Sequence, residues 1–450
     1  MKTIVTALIV LCGFSLMAQT SANDSLTKEV QQLKQDVSAL NKLKVNGWLQ
    51  AQFQYAETRG EANFDGGTFA PNSDKRFMIR RGRVKFTYNG TNSQYVLQIN
   101  ATERGISLTD FYALVTEPKH KTLSLAVGIM NRPFGFEIDQ SSQYRESPER
   151  SRYTQILMPN ERDLGAKIVF APGKTSKLFG LRLDAGFYDG QGIYVPGTST
   201  PASPSGSALY QPGASPVFGL NEFDFNKDFI GRLSYYRTTK NGKMKYGIGT
   251  SHYNGGNTYQ TNTVYKQIYT NAAGYKDWQV QDSSTIRYKN KVEPRVYYGA
   301  EAYFSINTSI GTTIIRGEYI TGTQPGISNN SASPFFMPTA GATYIRNFDG
   351  MYAYFIHRFA KTKHEMAIKY EWYDPNIKVK GTDIQGSTKN AFTSADIKYT
   401  QLGLNYTYYH TDNVKFMFAY NIITNEATGL SGYTKDLKDN ILTVRVQYRF

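Results

Sequence analysis

The last ten residues of the chain, 441–450, read ILTVRVQYRF and carry the clearest fold signal in the sequence. Apolar or aromatic side chains stand at every second position, at Leu442, Val444, Val446, Tyr448 and Phe450. Most of the positions between them are polar or charged. Because successive side chains of a β-strand point to opposite faces of its sheet, this stretch predicts a strand with one apolar face and one polar face.

The same period of two runs through the chain from residue 45 onward. Clear examples lie at 45–55, 94–101, 123–129, 181–188, 366–373, 402–408 and 414–422. We count about sixteen such segments of roughly ten to fourteen residues, the length that a tilted strand needs to cross a bilayer. Long connections at 57–75, 131–160, 190–226, 254–291, 323–345 and 374–396 alternate with short ones. Short turns at one end and long loops at the other are typical of outer-membrane barrels.

Alternation alone does not say which face of the sheet is inside. A secreted β-sandwich array would also alternate, but it would usually show repeats or linkers, and a soluble barrel would bury its apolar face. Tyr and Phe flank many segments, as an interfacial aromatic girdle requires. The final Phe450 resembles the assembly signal of bacterial outer-membrane barrels. The sequence therefore predicts an all-β protein, a transmembrane antiparallel β-barrel of about sixteen strands in a bacterial outer membrane, spanning 44–450.

The composition excludes several classes of protein. Aromatic residues make up 14% of the 450 residues, which argues against intrinsic disorder. Beyond residue 22 no apolar run approaches the roughly 20 residues of a spanning helix. A single cysteine, Cys12, rules out disulfide stapling within one chain. Lys and Arg outnumber Asp and Glu by 51 to 36, so the chain carries an excess of positive charge.

The N-terminal residues do not share the strand pattern. Residues 1–22, a charged start followed by an apolar stretch and small residues, predict a signal peptide. A lipoprotein signal at Cys12 is disfavoured by the bulky Leu11. Residues 23–43 predict a periplasmic, coiled-coil-like helix with a seam at Leu26, Val30, Leu33, Val37 and Leu40. That helix either folds back on its own domain or joins a small intermolecular coiled coil.

Basic residues lie on the polar face of several segments. Arg81, Arg83 and Lys85 share one parity, opposite to Val84, Phe86 and Tyr88, so this row should face the barrel lumen. Lys167, Arg182, Arg232, Lys369, Arg445 and Arg449 have the same placement. An Arg- and Lys-lined pore favours anions. The alternative is that these side chains pair with Asp and Glu, as Arg182 and Asp184 would, to hold the inner wall together.

Several motifs, taken in order, resemble the family of phosphate-selective porins O and P. They run from Arg80-Arg81-Gly82-Arg83-Val84 through 108–112 (LTDFY), 127–137 (VGIMNRPFGFE), Ser141-Ser142 and 149–151 (ERS) to 159–165 (PNERDLG). Looser matches at 188–190 and 317–319 extend the likeness over 45–450. The resemblance implies a sixteen-stranded barrel that forms a homotrimer, with a loop at about 131–160 folded into the pore.

The resemblance also implies the residues that bind the anion. The family lines its constriction with Arg, Lys, Ser and one Asp, and Arg80, Arg81 and Asp110 match the paired arginines and the acid, while Arg132 stands near a usual Lys. In a regular strand Arg80 and Arg81 cannot both face the lumen. Either a bulge at Gly82 re-aims one of them, or Arg80 faces a subunit interface. Together with the basic row, the expected pore-lining residues are Arg80, Arg81, Arg83, Lys85, Asp110, Arg132, Ser141, Ser142, Arg145 and Arg150.

These features predict a passive channel for small anions such as phosphate, with no catalytic residues, metal or cofactor. One alternative is a channel for oligosaccharides, with tyrosines such as Tyr188 and Tyr373 as a sliding surface. Another is a barrel acting mainly as an adhesin or anchor through its loops. The five histidines lie on separate segments without metal-ligand spacing. Export and the lack of a clustered aromatic–basic motif argue against nucleic acid as a partner. The expected partners are small anions and outer-membrane lipid.

Overall fold

A computed structural model of the chain describes residues 28–33, 42–159, 161–190, 192, 225–259, 261–282, 291–332 and 342–450. The predicted signal peptide, most of the predicted helix at 23–43 and the Pro-rich stretch at 196–216 lie outside these ranges. Residues 28–33 are helical. No helix among the described residues is long and apolar enough to cross a membrane.

The described residues form eighteen strands. They are β1 (Leu43–Ala56), β2 (Lys75–Asn89), β3 (Ser93–Thr102), β4 (Gly105–Thr116), β5 (Leu123–Asn131), β6 (Arg162–Phe170), β7 (Leu181–Tyr188), β8 (Asp228–Thr238), β9 (Met244–Gly255), β10 (Val264–Thr270), β11 (Lys276–Asp282), β12 (Arg295–Thr308), β13 (Gly311–Gly326), β14 (Thr343–Phe359), β15 (His364–Asp374), β16 (Tyr399–Tyr409), β17 (Val414–Asn425) and β18 (Ile441–Arg449). Two short helices, α1 (Gly135–Asp139) and α2 (Arg152–Leu157), lie between β5 and β6, and 3₁₀ turns lie at Gly381–Asp383 and Ser394–Asp396.

Sixteen of these strands close into a barrel. Each pairs antiparallel with the next from β1 to β9, then β9 pairs with β12, the series continues to β18, and β18 pairs with β1. The remaining two, β10 and β11, form a hairpin within the connection from β9 to β12. Closure leaves no unpaired sheet edge, which is what a strand-built membrane protein requires. The predicted sixteen-stranded antiparallel barrel is confirmed.

Connections differ in length between the two ends of the barrel. At the end that holds the chain terminus, turns such as 90–92, 309–310 and 360–363 are short. Backbone hydrogen bonds between Gly47 and Phe450, each 3.1 Å, close this end. At the other end, long connections run over 57–74, 132–161, 189–227, 256–294, 327–342, 375–398 and 426–440. A two-residue turn between β3 and β4 also lies at this end.

The outward faces of the strands are mainly apolar, and the inward faces carry most of the buried polar and charged side chains. On β1 and β2, Gln50 is 1% exposed whereas Phe77 is 84% exposed. The same contrast separates Arg445 from Tyr448 on β18, because Arg445 is buried and Tyr448 is exposed. An apolar outer belt around a polar interior is the arrangement of a barrel surrounded by lipid. This settles which face is inside and places the chain in a bacterial outer membrane, as predicted.

Candidate functional site

The connection from β5 to β6 folds into the interior of the barrel. On one side, Trp48 of β1 donates a hydrogen bond from Nε1 to Ser142 Oγ (3.2 Å). On the other side, the hydroxyl of Tyr153 in α2 donates to Glu318 Oε1 on β13 (2.9 Å). The backbone amide of Arg152 donates to Glu371 Oε1 on β15 (3.0 Å). The loop therefore crosses the lumen and is attached to opposite walls.

An apolar core fills the interior on the side of β7 to β15. It combines side chains of the inward loop with inward-facing aromatic and aliphatic residues of the wall. Its members include Met130, Phe134, Ile138, Tyr153, Ile156, Leu157, Met158, Tyr188, Ile230, Tyr253, Tyr297, Ile320, Phe348, Tyr352, Tyr354, Ile356 and Tyr373. Phe134 and Tyr297 meet edge-on, with ring centroids 6.3 Å apart, a favourable aromatic geometry. This part of the lumen is packed like a protein interior.

The core argues against the oligosaccharide alternative. In that alternative Tyr188 and Tyr373 are lumenal groups on which sugars slide, but Tyr188 is 0% and Tyr373 2% exposed. Both belong to the apolar core and have no surface facing an open path. Alternation placed them correctly on the inward face, but it gave no information about the loop that packs against them.

A cavity of about 340 Å³ remains on the other side of the lumen, against β1 to β7. Six cationic side chains line it, together with the carboxylates of Asp110 and Asp139. The cationic residues are Arg83, Lys85, Arg150, Arg162, Lys167 and Arg182. Trp48, Gln98, Tyr112 and Ser141 are among the neutral lining residues. The cavity is thus predominantly basic.

The cations of this cavity differ in how they are paired. Arg162 Nε donates to Asp110 Oδ1 (2.8 Å), and its Nη1 donates to Glu161 Oε2 (2.7 Å). Lys167 and Arg182 share Asp184, at 3.0 and 2.6 Å. Lys85 and Arg83 form no ion pair among the described residues. Their charges are therefore the ones that remain available to a mobile anion.

Arg83 and Lys85 occupy neighbouring inward positions on β2. The Arg83 guanidinium carbon lies 5.7 Å from the centre of the Trp48 ring, within the range of a cation–π contact. Its Nε is buried and has no hydrogen-bond partner in the described part of the chain. Because a buried charged donor without a partner is costly, this guanidinium is suited to receive an acceptor from the lumen.

Arg80 and Arg81 lie next to this cavity but bind a carboxylate of the loop. Arg81 Nη2 donates to Glu149 Oε2 (2.6 Å), Arg80 Nε donates to Glu149 Oε1 (2.9 Å), and Arg445 Nη2 donates to Glu149 Oε1 (3.0 Å). Burial alone would raise the pKa of Glu149, but the charges of Arg80, Arg81 and Arg445 outweigh it and hold the pKa well below its usual value. Glu149 therefore stays ionised over a wide pH range.

A bulge allows both Arg80 and Arg81 to point inward. Gln50 pairs with Arg81 and Ala51 pairs with Ile79, so Arg80 is the extra residue on β2. The predicted bulge is therefore present, but at Arg80 rather than at Gly82. The alternative of an Arg80 directed to a subunit interface is wrong, because Arg80 donates to Glu149 of the inward loop. An extra residue breaks the alternation of side chains at that point, and the two arginines reach the same carboxylate.

The other predicted site residues have mainly structural partners. Arg132 pairs with Asp163 (Nη2 to Oδ2, 3.1 Å), away from the cavity. Arg150 lines the cavity, but its guanidinium also pairs with Glu161 and donates to loop carbonyls, with Nε at 2.9 Å from the oxygen of Glu137. Arg145 is buried beside the Glu149 cluster, and Ser142 accepts from Trp48. Of the predicted set, Arg83, Lys85, Asp110, Ser141 and Arg150 line the cavity.

Sequence reasoning missed several residues of the site. Glu149, Glu161 and Arg162 lie inside the quoted motifs, but no role was predicted for them. Lys167, Arg182 and Arg445 were placed on the inward face without being assigned to a site. Their inward position on a strand, together with their positive charge, could have identified these three residues as members of the site. Nothing in the period of the strands marks Glu149, because it lies in an irregular loop.

The described residues contain no group of three or more His, Cys, Asp or Glu side chains arranged to hold a metal ion. What the site offers chemically is a set of fixed cationic donors that line a cavity of about 340 Å³. Such donors attract, partly dehydrate and release anions without covalent chemistry.

No protein-family model matches the chain, and no curated protein matches it. Among solved structures, it is similar to OmpF of Salmonella typhi, with a TM-score of 0.49, 13% identity and coverage of 91% of this chain and 97% of that chain. The anion-selective porin from Comamonas acidovorans gives a TM-score of 0.48, 9% identity and coverage of 91% and 99%. The outer-membrane channel DcaP of Acinetobacter baumannii gives 0.48, 10%, 91% and 97%. At these identities the likenesses concern the barrel fold alone.

Proposed function

We propose that this protein is a passive outer-membrane channel that favours small anions. The observation that carries the proposal is the basic cavity between the inward loop and β1 to β7, where Arg83 and Lys85 lie near Asp110 but form no direct ion pair with any carboxylate of the described residues. Unpaired cations along a narrow aqueous path raise the local concentration of anions and replace part of their hydration shell.

The alternative reading of the basic residues as wall-forming ion pairs holds for some of them. Arg182 pairs with Asp184 as that reading expected, and Arg162 pairs with Asp110. The six cations of the cavity lie beside four carboxylates, because Asp110 and Asp139 line it and Glu161 and Asp184 pair with its cations from behind. The excess of cations over carboxylates at the cavity, rather than the total number of arginines, supports anion selectivity.

Phosphate as the solute and assembly as a homotrimer belong to the same proposal. Both derive from the family resemblance. For phosphate, the matched arginines Arg80 and Arg81 are engaged by Glu149, so we expect phosphate to pass through a weak site at Arg83 and Lys85. The tyrosine-lined sugar path loses its support, because Tyr188 and Tyr373 are buried.

The decisive experiment is the zero-current potential of the purified protein in a planar bilayer across a KCl gradient. We expect the sign of this potential to show that chloride passes through the channel faster than potassium. Replacing Arg83→Gln and Lys85→Gln together should lower the chloride-to-potassium permeability ratio about fivefold, the effect of losing roughly 1 kcal/mol of close Coulomb attraction in water.

Lys119→Gln is the matched control, since Lys119 lies exposed in the short turn between β4 and β5. It removes one positive charge outside the cavity and should leave the permeability ratio unchanged. A wild-type channel that prefers potassium, or a double variant as selective as the wild type, would contradict the proposal.

A further inference from the structure

Three arginine side chains converge on the single carboxylate of Glu149. Arg80 donates through Nε and Nη2 (2.9 and 3.0 Å), Arg81 through Nη1 and Nη2 (3.2 and 2.6 Å), and Arg445 through Nη2 (3.0 Å). Arginine forks recognise carboxylate and phosphate through the same paired, charge-assisted hydrogen bonds. Glu149 is thus bound in the way that a free anion would be bound.

The cluster contains more positive charge than Glu149 neutralises. A fourth guanidinium, that of Arg145, lies close enough to interact with Glu149 and Arg445 and is 2% exposed. None of its three nitrogens has a hydrogen-bond partner in the described part of the chain. Arg81 and Arg445 also donate to Gln50, Gln52 and the carbonyl oxygen of Pro148. Four guanidinium groups, three of them buried, still carry more donors and more positive charge than the carboxylate of Glu149 can match.

The cluster also adjoins the proposed anion path. Arg81 is followed on the same inward face of β2 by Arg83 and Lys85, which line the cavity. Alternate residues of a strand are roughly 7 Å apart, so the cluster lies one step from the unpaired cations. The Arg80 side chain is 12% exposed, so the cluster has a surface open to solvent.

We infer that Glu149 is a tethered internal anion that occupies the arginine cluster in competition with oxyanions of the phosphate type. Its presence keeps the cluster from holding a permeating anion and leaves the weaker site at Arg83 and Lys85 for transit. A channel must bind its solute loosely enough to release it. This role rests on the proposed anion channel, but binding to the cluster can be measured without permeation.

A second carboxylate of the same loop provides the matched control. Glu146 pairs with one wall arginine, Arg316, through Nη1 and Nη2 (3.0 and 2.5 Å). Like Glu149 it is largely buried and fastens the loop to the barrel. Glu146→Gln removes an equivalent anchor but frees only one guanidinium, so it separates loosening of the loop from unmasking of the cluster.

The experiment measures the binding of inorganic phosphate to the detergent-solubilised full chain by calorimetry, and the phosphate block of chloride current in bilayers. In Glu149→Gln the phosphate dissociation constant should fall at least about tenfold below that of the wild type, the effect of one charge-assisted hydrogen bond. Half-block should shift to lower phosphate by a similar factor. Glu146→Gln should behave like the wild type in both measurements.

Equal phosphate affinity in Glu149→Gln and the wild type would overturn the inference, as would an equal gain in Glu146→Gln. Glu149→Asp keeps a carboxylate that supports the fold, but the shorter side chain moves this carboxylate away from some of the guanidinium groups. It should therefore tighten phosphate binding less than Glu149→Gln does. If Glu149→Gln does not fold, unchanged affinity in Glu149→Asp overturns the inference instead. A wild type without anion selectivity, combined with tighter phosphate binding in Glu149→Gln, would contradict the channel proposal and leave the role of Glu149 standing.

Discussion

At the scale of single residues, two carboxyl groups in the long loops lie where their charge is disfavoured. Burial raises the pKa of Asp439 to about 7, and the nearby charge of Glu61 adds to the shift. Burial also raises the pKa of Asp65 to about 6, in spite of a hydrogen bond from Asn421. Asp439 Oδ1 has no hydrogen-bond partner among the described residues. Both groups lie at the end of the barrel with the long loops.

The raised pKa of Asp439 predicts that the loop at 426–440 docks less firmly as pH rises. A carboxyl group with a raised pKa stabilises the folded loop fully below its ordinary pKa of 3.8, and this contribution is lost as pH rises towards about 7. Asp439→Asn cannot ionise and should remove this pH dependence. Amide hydrogen exchange over 426–440, compared between variant and wild type, should be equal near about pH 4 and at least about tenfold slower in the variant near pH 8.

Asp412→Asn serves as the control for that comparison, because Asp412 lies exposed in the short turn at the opposite end of the barrel. It should not change exchange in the loop at any pH. An exchange difference between wild type and Asp439→Asn that does not vary with pH would contradict the assigned cause.

The charges of individual residues were predictable, but their partners were not. Arg81, Arg83 and Lys85 were placed inward correctly, because strand parity fixes the direction of a side chain. The partner of Arg81 is 68 residues away, and that of Arg445 is 296 residues away. Such pairs depend on how a long loop folds, which no local period encodes. As a result, the sequence did not distinguish Arg81 and Arg445, which bind Glu149, from Arg83, which forms no ion pair among the described residues.

At the scale of elements, the inward loop is held by a fit between one aromatic ring and one glycine. A Cβ on Gly299 of β12 would lie 2.9 Å from Cε1 and Cζ of Phe134. Real Cβ atoms do not approach an aromatic ring that closely without a shift of the neighbour. The glycine therefore provides the space in which Phe134, 0% exposed, packs against Tyr297.

Phe134→Ala should detach part of the loop from the wall. Deleting a buried phenyl ring costs about 3–5 kcal/mol through lost burial and the cavity that remains. We expect a larger single-channel conductance and a lower unfolding temperature than in the wild type. Gly299→Ala should shift both quantities in the same direction but less, because Phe134 has to move aside. Bilayer recordings and thermal unfolding would measure these effects.

Phe136→Ala is the comparison for that prediction, since Phe136 lies two residues further along the same loop, in α1, but is only half-buried and contacts Tyr303. A conductance change as large as that of Phe134→Ala would show that the loop is not held mainly by the fit at Gly299.

The wall strands were predictable as elements, and the irregular ones were not. A period of two is strong where one face meets lipid and the other meets a polar interior, so the count of sixteen is right. The hairpin of β10 and β11 was missed, because its strands lie within a loop and do not cross the membrane. The bulge at Arg80 was misplaced at Gly82, because glycine marked the position in the sequence, whereas the register with β1 shifts at Arg80, two residues earlier.

At the scale of the whole molecule, the barrel interior is divided into two parts with different physical properties. One side, along β7 to β15, is an apolar core formed around the inward loop. The other side, along β1 to β7, is a basic cavity of about 340 Å³. A small core inside a large barrel fixes the loop rigidly, because packed interiors resist deformation. The open space of the described interior therefore lies along one wall.

This division predicts where a water-soluble thiol reagent can reach. The only cysteine in the sequence, Cys12, lies in the predicted signal peptide, so a single introduced thiol reports on its own position. Ser141→Cys places a thiol in the cavity with little change in shape, and Ala367→Cys places one in the core, where Ala367 is 3% exposed. We expect a negatively charged methanethiosulfonate to modify Ser141→Cys readily and to lower chloride selectivity. Ala367→Cys should react at least about a hundredfold more slowly, because reaction there requires local opening of the core. Similar rates at the two positions would mean that the β7 to β15 side of the lumen is open to water.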